Sequence, residues 1–335
     1  MSEQKLMQAA YYEKQGAAKE VIHYQQIPIP EPGTGEVRVK IHASGVNPSD
    51  TKSRSGWGGI EQKFERIIPH QDGAGVIESV GESVPNSRIG ERVWIYEGQL
   101  GRAFGTGAEY IVIDSEKAIK LPDNTTFAEG ACLGVPAMTA HRAVFADGEV
   151  KGQTILVTGG AGAVGNYAIQ WAKWGGAKAI ATVSSPQKAK IAEAAGADYI
   201  INYKNEDVVK RIQEITGRKR GINRIVDVDF TQNLNVADAV LRTNGVVAMY
   251  SANPGDAPAL PMLSLMLRNI TIRTILVYTM PQSAKSAAIK DITTALEAGK
   301  LSHNIAQTFP LTELAAAHEA QDSGNMIGKA IVEIS

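Results

Sequence analysis

Between residues 154 and 277, short apolar runs alternate with amphipathic stretches. Thr154-Ile-Leu-Val-Thr158 is β-branched and apolar and predicts a buried strand. Ala177–Val183, Asp198–Ile201, Arg224–Val228, Gly245–Tyr250 and Ile270–Val277 repeat that character. Between them, Tyr167–Trp174, Pro186–Ala195 and Asn205–Thr216 read as helices. Pro186 suits a first helical turn, and Gly196 and Gly217 suit helix stops. Six strands alternating with helices predict an α/β fold built on a doubly wound parallel sheet.

The rest of the chain has a different rhythm. Glu36–Ile41, Gly75–Val80, Arg92–Tyr96 and Glu109–Ile113 are short strand-like runs separated by Gly, Pro and Asn turns, which predicts a β-rich domain of barrel or sandwich type. Thr126-Phe-Ala-Glu129 has the form of a capping box and predicts a helix start. Beyond Val277, helix-like runs at Ala284–Ala298 and Thr312–Ser323 frame a segment near Ile305–Thr308. The final strand, Lys329–Ile334, needs a partner, and the central sheet is already complete. The carboxy-terminal segment is therefore expected back in the amino-terminal domain. The expected division is 1–125 with 280–335, against 126–279.

The turn after the first central strand carries chemistry. Gly160, Gly162 and Gly165 fit G-x-G-x-x-G between a strand and a helix. That order suits a dinucleotide pyrophosphate, because glycines permit a tight turn and close backbone approach, and a helix N-terminus presents N–H groups. The bland alternative is a strand–helix turn whose glycines serve packing only. The second strand ends in Thr182-Val-Ser-Ser185, where an NAD-preferring fold would place an acid for the ribose 2′-hydroxyl.

Bulk properties narrow the classes. The chain has 335 residues, enough for two domains, and 34 Lys+Arg against 35 Asp+Glu give no basic surplus for nucleic acid. No apolar stretch has membrane-spanning length, and Met1–Leu6 lacks a signal peptide's apolar region. Cys132 is the single cysteine, so neither a disulfide framework nor a thiolate metal cluster is expected. These features predict a soluble, cytoplasmic protein.

Taken with Ser44–Gly56, Gly73–Gly81, Gly134–Ala140 and Gly328-Lys329, the glycine turn makes the chain resemble the medium-chain dehydrogenase/reductase family. Within it, the chain is most similar to the zinc-independent quinone oxidoreductase, or zeta-crystallin-like, branch. The resemblance implies a Rossmann domain with a GroES-like catalytic domain, and NADPH as cofactor. It puts Asn47, Asp50 and Thr139 at the nicotinamide and substrate. It assigns Thr139, Gly160, Gly162, Ala163, Val164, Gly165, Ser184, Ser185, Lys188, Tyr203, Tyr250, Ser251 and Lys329 to the cofactor. Ser185, Lys188 and Tyr203 would surround the 2′-phosphate. Lys52 and Gly58 stand where well-known relatives carry two tyrosines, so Lys52, Trp57 and Tyr96 become candidates for the substrate pocket. For Asn47 a turn-forming role before Pro48 stays open, as do loop holding for Asp50 and packing for Trp57. Tyr96, Tyr250 and Tyr278 are candidate proton donors.

Zinc-dependent members place a cysteine ligand where Asn47 stands and a Gly-His-Glu motif near Pro69-His-Gln71. Asn47 is a poor zinc ligand, and His23, His42, His70, His141, His303 and His318 are scattered, so no metal is expected. Without a metal, hydride transfer favours quinones and α,β-unsaturated carbonyls, whose product anion is delocalised. The alternatives are an enoyl-thioester reductase of the same superfamily and a non-catalytic, crystallin-like NADPH-binding protein. A homodimer is expected through Ile270–Val277, an edge whose only charge is Arg273.

Overall fold

The structure is a computed structural model that describes residues 5–335; Met1–Gln4 of the amino-terminal stretch read above lie outside the described residues. It divides into two units. One comprises the chain up to Val135 together with Ile289–Ser335, and the other Pro136–Ala288. Among the described residues, no helix is long and apolar enough to cross a membrane.

The first unit opens with β1 (Leu6–Tyr11), α1 (Ala18–Val21) and β2 (His23–Pro28), and continues with β3 (Glu36–Val46), α2 (Pro48–Ser55) and β4 (Asp72–Val80). It goes on through β5 (Arg92–Ile95), β6 (Tyr110–Asp114), β7 (Ala118–Lys120) and α3 (Phe127–Gly130). β3 organises this unit because alternation along it buries Val37, Val39 and Ile41 on one face. They pack with Ile77, Val93, Ile95, Ile111 and Ile113. The Thr126 capping box starts α3 as expected, with Thr126 Oγ1 accepting the Glu129 N–H and Glu129 accepting the Thr126 N–H.

The second unit contains α4 (Met138–Phe145), β8 (Thr154–Val157), α5 (Ala163–Trp174), β9 (Lys178–Val183), α6 (Pro186–Ala194) and β10 (Tyr199–Asn202). It continues through α7 (Val208–Thr216), β11 (Ile222–Asp227), α8 (Phe230–Val240), β12 (Leu241–Met249), α9 (Met262–Leu267) and β13 (Thr271–Thr274). The six strands form one sheet in the order β10-β9-β8-β11-β12-β13, and every pair is parallel. This is the doubly wound arrangement, with its switch point between β8 and β11.

Two expectations need correction here. The sixth strand spans four residues rather than Ile270–Val277: its partner β12 ends at Met249, opposite Thr274, and the chain then turns at Val277–Thr279. The helix after the glycine turn starts at Ala163, four residues before the expected Tyr167.

The chain returns through α10 (Gln282–Glu297), β14 (Ile305–Pro310), α11 (Leu314–Asp322) and β15 (Lys329–Glu333). β15 pairs antiparallel with β3, Val332 opposite Ser44, and parallel with β14. The last strand thus completes the first unit's sheet, as the lone terminal strand required.

Candidate active site

In the second unit, the glycine turn has the steric demands of a phosphate cradle. A Cβ on Gly160 would lie 2.8 Å from the Ala181 Cβ, and one on Gly165 would lie 2.3 Å from the Gly159 carbonyl oxygen. Both positions therefore need glycine for packing. Gly162 is the N-cap of α5 and provides no capping side chain, while Ala163, Val164 and Gly165 form the first turn. Main-chain N–H groups there suit an anion. Tyr250 follows β12 with its N–H on the Asp227 carbonyl (3.2 Å), and Ser251 is half-buried beside it. Burial, with Asp227 adding, pushes the Tyr250 phenol up, which makes it a weaker acid than an ordinary tyrosine.

Of the residues expected at the 2′-phosphate, Ser185 and Lys188 come together, with Ser184 beside them. Ser185 caps α6, its Oγ accepting the Lys188 N–H (3.2 Å). The Lys188 ammonium donates to Ser184 Oγ (3.0 Å). Tyr203 follows β10, whose Asn202 lies opposite Val183; its N–H donates to the Val183 carbonyl (3.1 Å), and the residue is 48% exposed. No carboxylate bonds Ser184, Ser185 or Lys188 among the described residues. Thr139 lies in α4, buried.

In the first unit, a buried polar centre forms where β3, α2, β4 and β15 meet. Asn47 caps α2, with Pro48 at the first helical position. Its Nδ2 donates to Asp72 Oδ2 (2.9 Å), and its Oδ1 accepts from the Lys329 ammonium. Lys329 Nζ also donates to Asp72 Oδ2 (2.9 Å), closing a triangle of ammonium, carboxylate and amide. Asp72 Oδ1 accepts the Val135 N–H (2.8 Å). All three side chains are buried: Asp72 0%, Asn47 2% and Lys329 3% exposed. Asp50 Oδ2 accepts the Asn47 N–H (2.8 Å), while Asp50 Oδ1 is buried without a partner. Burial first, then the Asp72 charge, raises the Asp50 carboxyl from 3.8 to about 7.

Lys329, expected among the cofactor residues, thus has two of its three N–H groups held by Asp72 and Asn47. Asn47 fills its N-cap place and at the same time belongs to the polar centre. Lys52 and Trp57 are in contact, the ammonium 3.9 Å from the indole centroid, and Trp57 opens a short turn after Gly56. Tyr96 lies on a separate element, just after β5, buried with its ring 6.0 Å from that of Trp94. Asp72 is not among the residues that the sequence singles out. Its one signal is a charge at the head of a strand whose next five residues, Gly73 to Ile77, are apolar.

Against known proteins, the family model for the alcohol dehydrogenase GroES-like domain matches residues 33–123, and that for zinc-binding dehydrogenases matches 163–294. The chain is 30% identical to the quinone oxidoreductase of Pongo abelii, over 94% of each chain. The chain belongs to the medium-chain dehydrogenase/reductase family, with the quinone oxidoreductases. It is also 30% identical to the 2-haloacrylate reductase of a Burkholderia species, covering 98% of this chain and 99% of that one. The solved structure of Escherichia coli quinone oxidoreductase complexed with NADPH superimposes with a TM-score of 0.82 at 26% identity, covering 97% of this chain and 99% of that one. The first unit is accordingly the GroES-like domain and the second the Rossmann domain of an oxidoreductase.

A catalytic zinc, as the name of one matching family model implies, does not fit the residues here. Asn47 and Gln71 are amides, both His70 ring nitrogens are engaged, and Asp72 is paired with an ammonium. Among the described residues, no group of three or more His, Cys, Asp or Glu could hold a metal ion.

Proposed function

We propose that this oxidoreductase is a cytoplasmic, zinc-independent reductase that uses NADPH to reduce quinones or α,β-unsaturated carbonyl compounds. The observation that carries the reading is the buried Lys329–Asp72–Asn47 triangle. It offers hydrogen-bond donors of modest strength where a metal-dependent relative needs a Lewis acid. Donors of that kind stabilise a delocalised enolate or hydroquinone anion better than a localised alkoxide.

NADPH is the cofactor, and when bound it supplies the hydride. The Gly160–Gly165 turn takes the pyrophosphate, and Ser184, Ser185, Lys188 and Tyr203 take the 2′-phosphate. Asp50 holds Asn47 in place, and Lys329 fixes the orientation of its amide. The remaining Nδ2 hydrogen of Asn47 is then directed rather than free to rotate, which suits a donor to a developing charge. The NADPH-bound quinone oxidoreductase and the 2-haloacrylate reductase among the relatives support both cofactor and acceptor type.

The acting species is a homodimer. Met262, Leu263, Met266 and Leu267 on α9, which leads into β13, and Leu276 just after β13 are 56–73% exposed, an apolar surface that is poor to leave in water. The deciding experiment is NADPH oxidation against paired acceptors, an enone and its saturated ketone, a quinone, and an enoyl thioester, each with and without chelator. The reading requires the enone and quinone to turn over, the saturated ketone to fail, and chelator to have no effect. A tightly bound zinc on which activity depends would refute it.

A further inference from the structure

A line of buried polar side chains in the GroES-like unit leads to Asp72 from the surface. Asp322 accepts from Arg54 Nη2 (2.6 Å), and Arg54 Nη1 donates to the Gly16 carbonyl. Arg54 Nε contacts His318 Nδ1 (3.2 Å), His318 Nε2 contacts His70 Nε2 (2.9 Å), and His70 Nδ1 contacts Ser44 Oγ (2.8 Å). Ser44 Oγ contacts Thr106 Oγ1 (2.7 Å), which donates to the Asp72 carbonyl oxygen (2.6 Å). His318, His70, Ser44 and Thr106 are all 0% exposed.

The two ends of this line fix every proton between them. A guanidinium only donates and a carbonyl only accepts. His318 Nδ1 must accept from Arg54, so its proton sits on Nε2 and is donated to His70 Nε2. His70 then carries its proton on Nδ1 and donates to Ser44, which donates to Thr106. Protonating either imidazole would set two donors face to face. Burial lowers both histidines, His70 to about 3 with Lys329 adding, and His318 well below its ordinary value with His70 and Arg54 adding.

His70 also has a left-handed backbone, φ 83°, two residues before Asp72. Such a conformation in a non-glycine residue persists where its surroundings over-determine it. Its carbonyl packs so closely that a Cβ on Gly105 would come within 2.3 Å of it, and it accepts the Thr106 N–H (3.2 Å). Side chain and main chain of this segment are thus both tied, and both ties end at Asp72.

We propose that His70 and His318 are positioning residues, a neutral hydrogen-bond brace of fixed tautomers that holds Asp72 and, through it, Lys329 and Asn47 in working register. The consequence for turnover rests on the function proposed above; the tautomers do not. The chain ends on a main-chain carbonyl, so it orients the centre and conducts no proton to it.

The brace is tested by imidazole nitrogen NMR on the full-length protein labelled with ¹⁵N-histidine. His318 should show the Nε2–H tautomer and His70 the Nδ1–H tautomer, unchanged from pH 5.5 to 9. Titration of either ring in that window, or the opposite tautomer in either, overturns the proposal. In turnover, Ser44→Ala and His318→Phe should lower kcat roughly ten- to a hundredfold with little change in acceptor KM. His318→Gln, which can accept from Arg54 and donate to His70, should recover most of the loss. Folded variants with wild-type kcat would overturn the positioning role. A wild type that reduces no acceptor would refute the proposed function alone and leave the NMR result to judge the brace.

Discussion

Asp50→Asn should make the protein more stable, by an amount that depends on pH. Asp50 is 4% exposed, one carboxylate oxygen holds the Asn47 N–H, and the other has no partner. Its carboxyl lies near 7 in the fold against 3.8 for an unperturbed group, with burial the largest cause and the Asp72 charge the next. A raised folded value means that the fold keeps a proton which the unfolded chain releases. The contribution of this group to stability is therefore full below about pH 4 and is lost as pH rises through 7. Three units at about 1.4 kcal/mol each give a loss of about 4 kcal/mol by pH 8. Asparagine keeps an acceptor for the Asn47 N–H, carries no charge, and puts an N–H where the carboxyl proton sits. The variant should match the wild type near pH 4 and gain about 1.4 kcal/mol per pH unit up to about pH 7. For a unit of this size that amounts to roughly 10 °C in Tm at pH 8. Urea or thermal unfolding of both proteins from pH 4 to 8 measures the difference directly, and every titration common to the two cancels. A difference that stays flat with pH, or a variant less stable at pH 8, would show that Asp50 is ionised in the fold at little cost and refute the reasoning.

Three further outcomes follow from the same geometry. Lys188→Ala should lower kcat/KM for NADPH about ten- to a hundredfold and leave NADH nearly unchanged, because a charge-assisted bond is worth roughly 1.5–3 kcal/mol; Ser185→Asp should go further by repelling the 2′-phosphate. Equal use of the two cofactors by the wild type, or parallel losses in the variant, would refute that pocket. Asn47→Ala should lower kcat about tenfold or more in steady-state assays, since a lost transition-state donor costs roughly 1.4 kcal/mol or above; an unchanged kcat would confine Asn47 to capping α2. Leu263→Glu with Met266→Glu should convert a dimer into a monomer in analytical ultracentrifugation, and a wild type already monomeric at micromolar concentration would refute the interface.

What could be read in the sequence was what is local. The Rossmann sheet follows from runs whose period and glycine stops lie within one another's reach, and Ser184, Ser185 and Lys188 meet because a strand end and the next helix are adjacent in the chain. The amino-terminal unit was harder. β1 is Leu-Met-Gln-Ala-Ala-Tyr, with little strand preference, and β2 buries only Ile27 fully. α2 shows no apolar stripe because its buried residues are Asp50, Thr51 and Arg54. The length of β13 depended on where β12 stops, which no property of Ile270–Val277 records. The His70–His318 contact spans 248 residues and the Lys329–Asp72 pair spans 257, so each partner alone reads as an ordinary surface or core residue.

The composition of the polar centre itself argues for function over stability. Burying Asp72 and Lys329 together costs desolvation that their mutual attraction at best repays, and apolar residues of similar volume would hold the sheet as well or better. Asp50 adds a second carboxyl with an unpartnered oxygen, a further cost that loop holding alone does not require, since a neutral side chain could accept the Asn47 N–H. The left-handed His70 is a third local departure from what an unconstrained chain would choose. These departures converge on one amide, Asn47, rather than being scattered through the unit. Strain and burial concentrated around one donor are what preorganisation demands, because a donor held before the reaction need not reorganise as charge develops. The same reasoning explains why Asp50→Asn should gain stability: the cost of the buried carboxyl sits in the fold, and its benefit appears only in turnover.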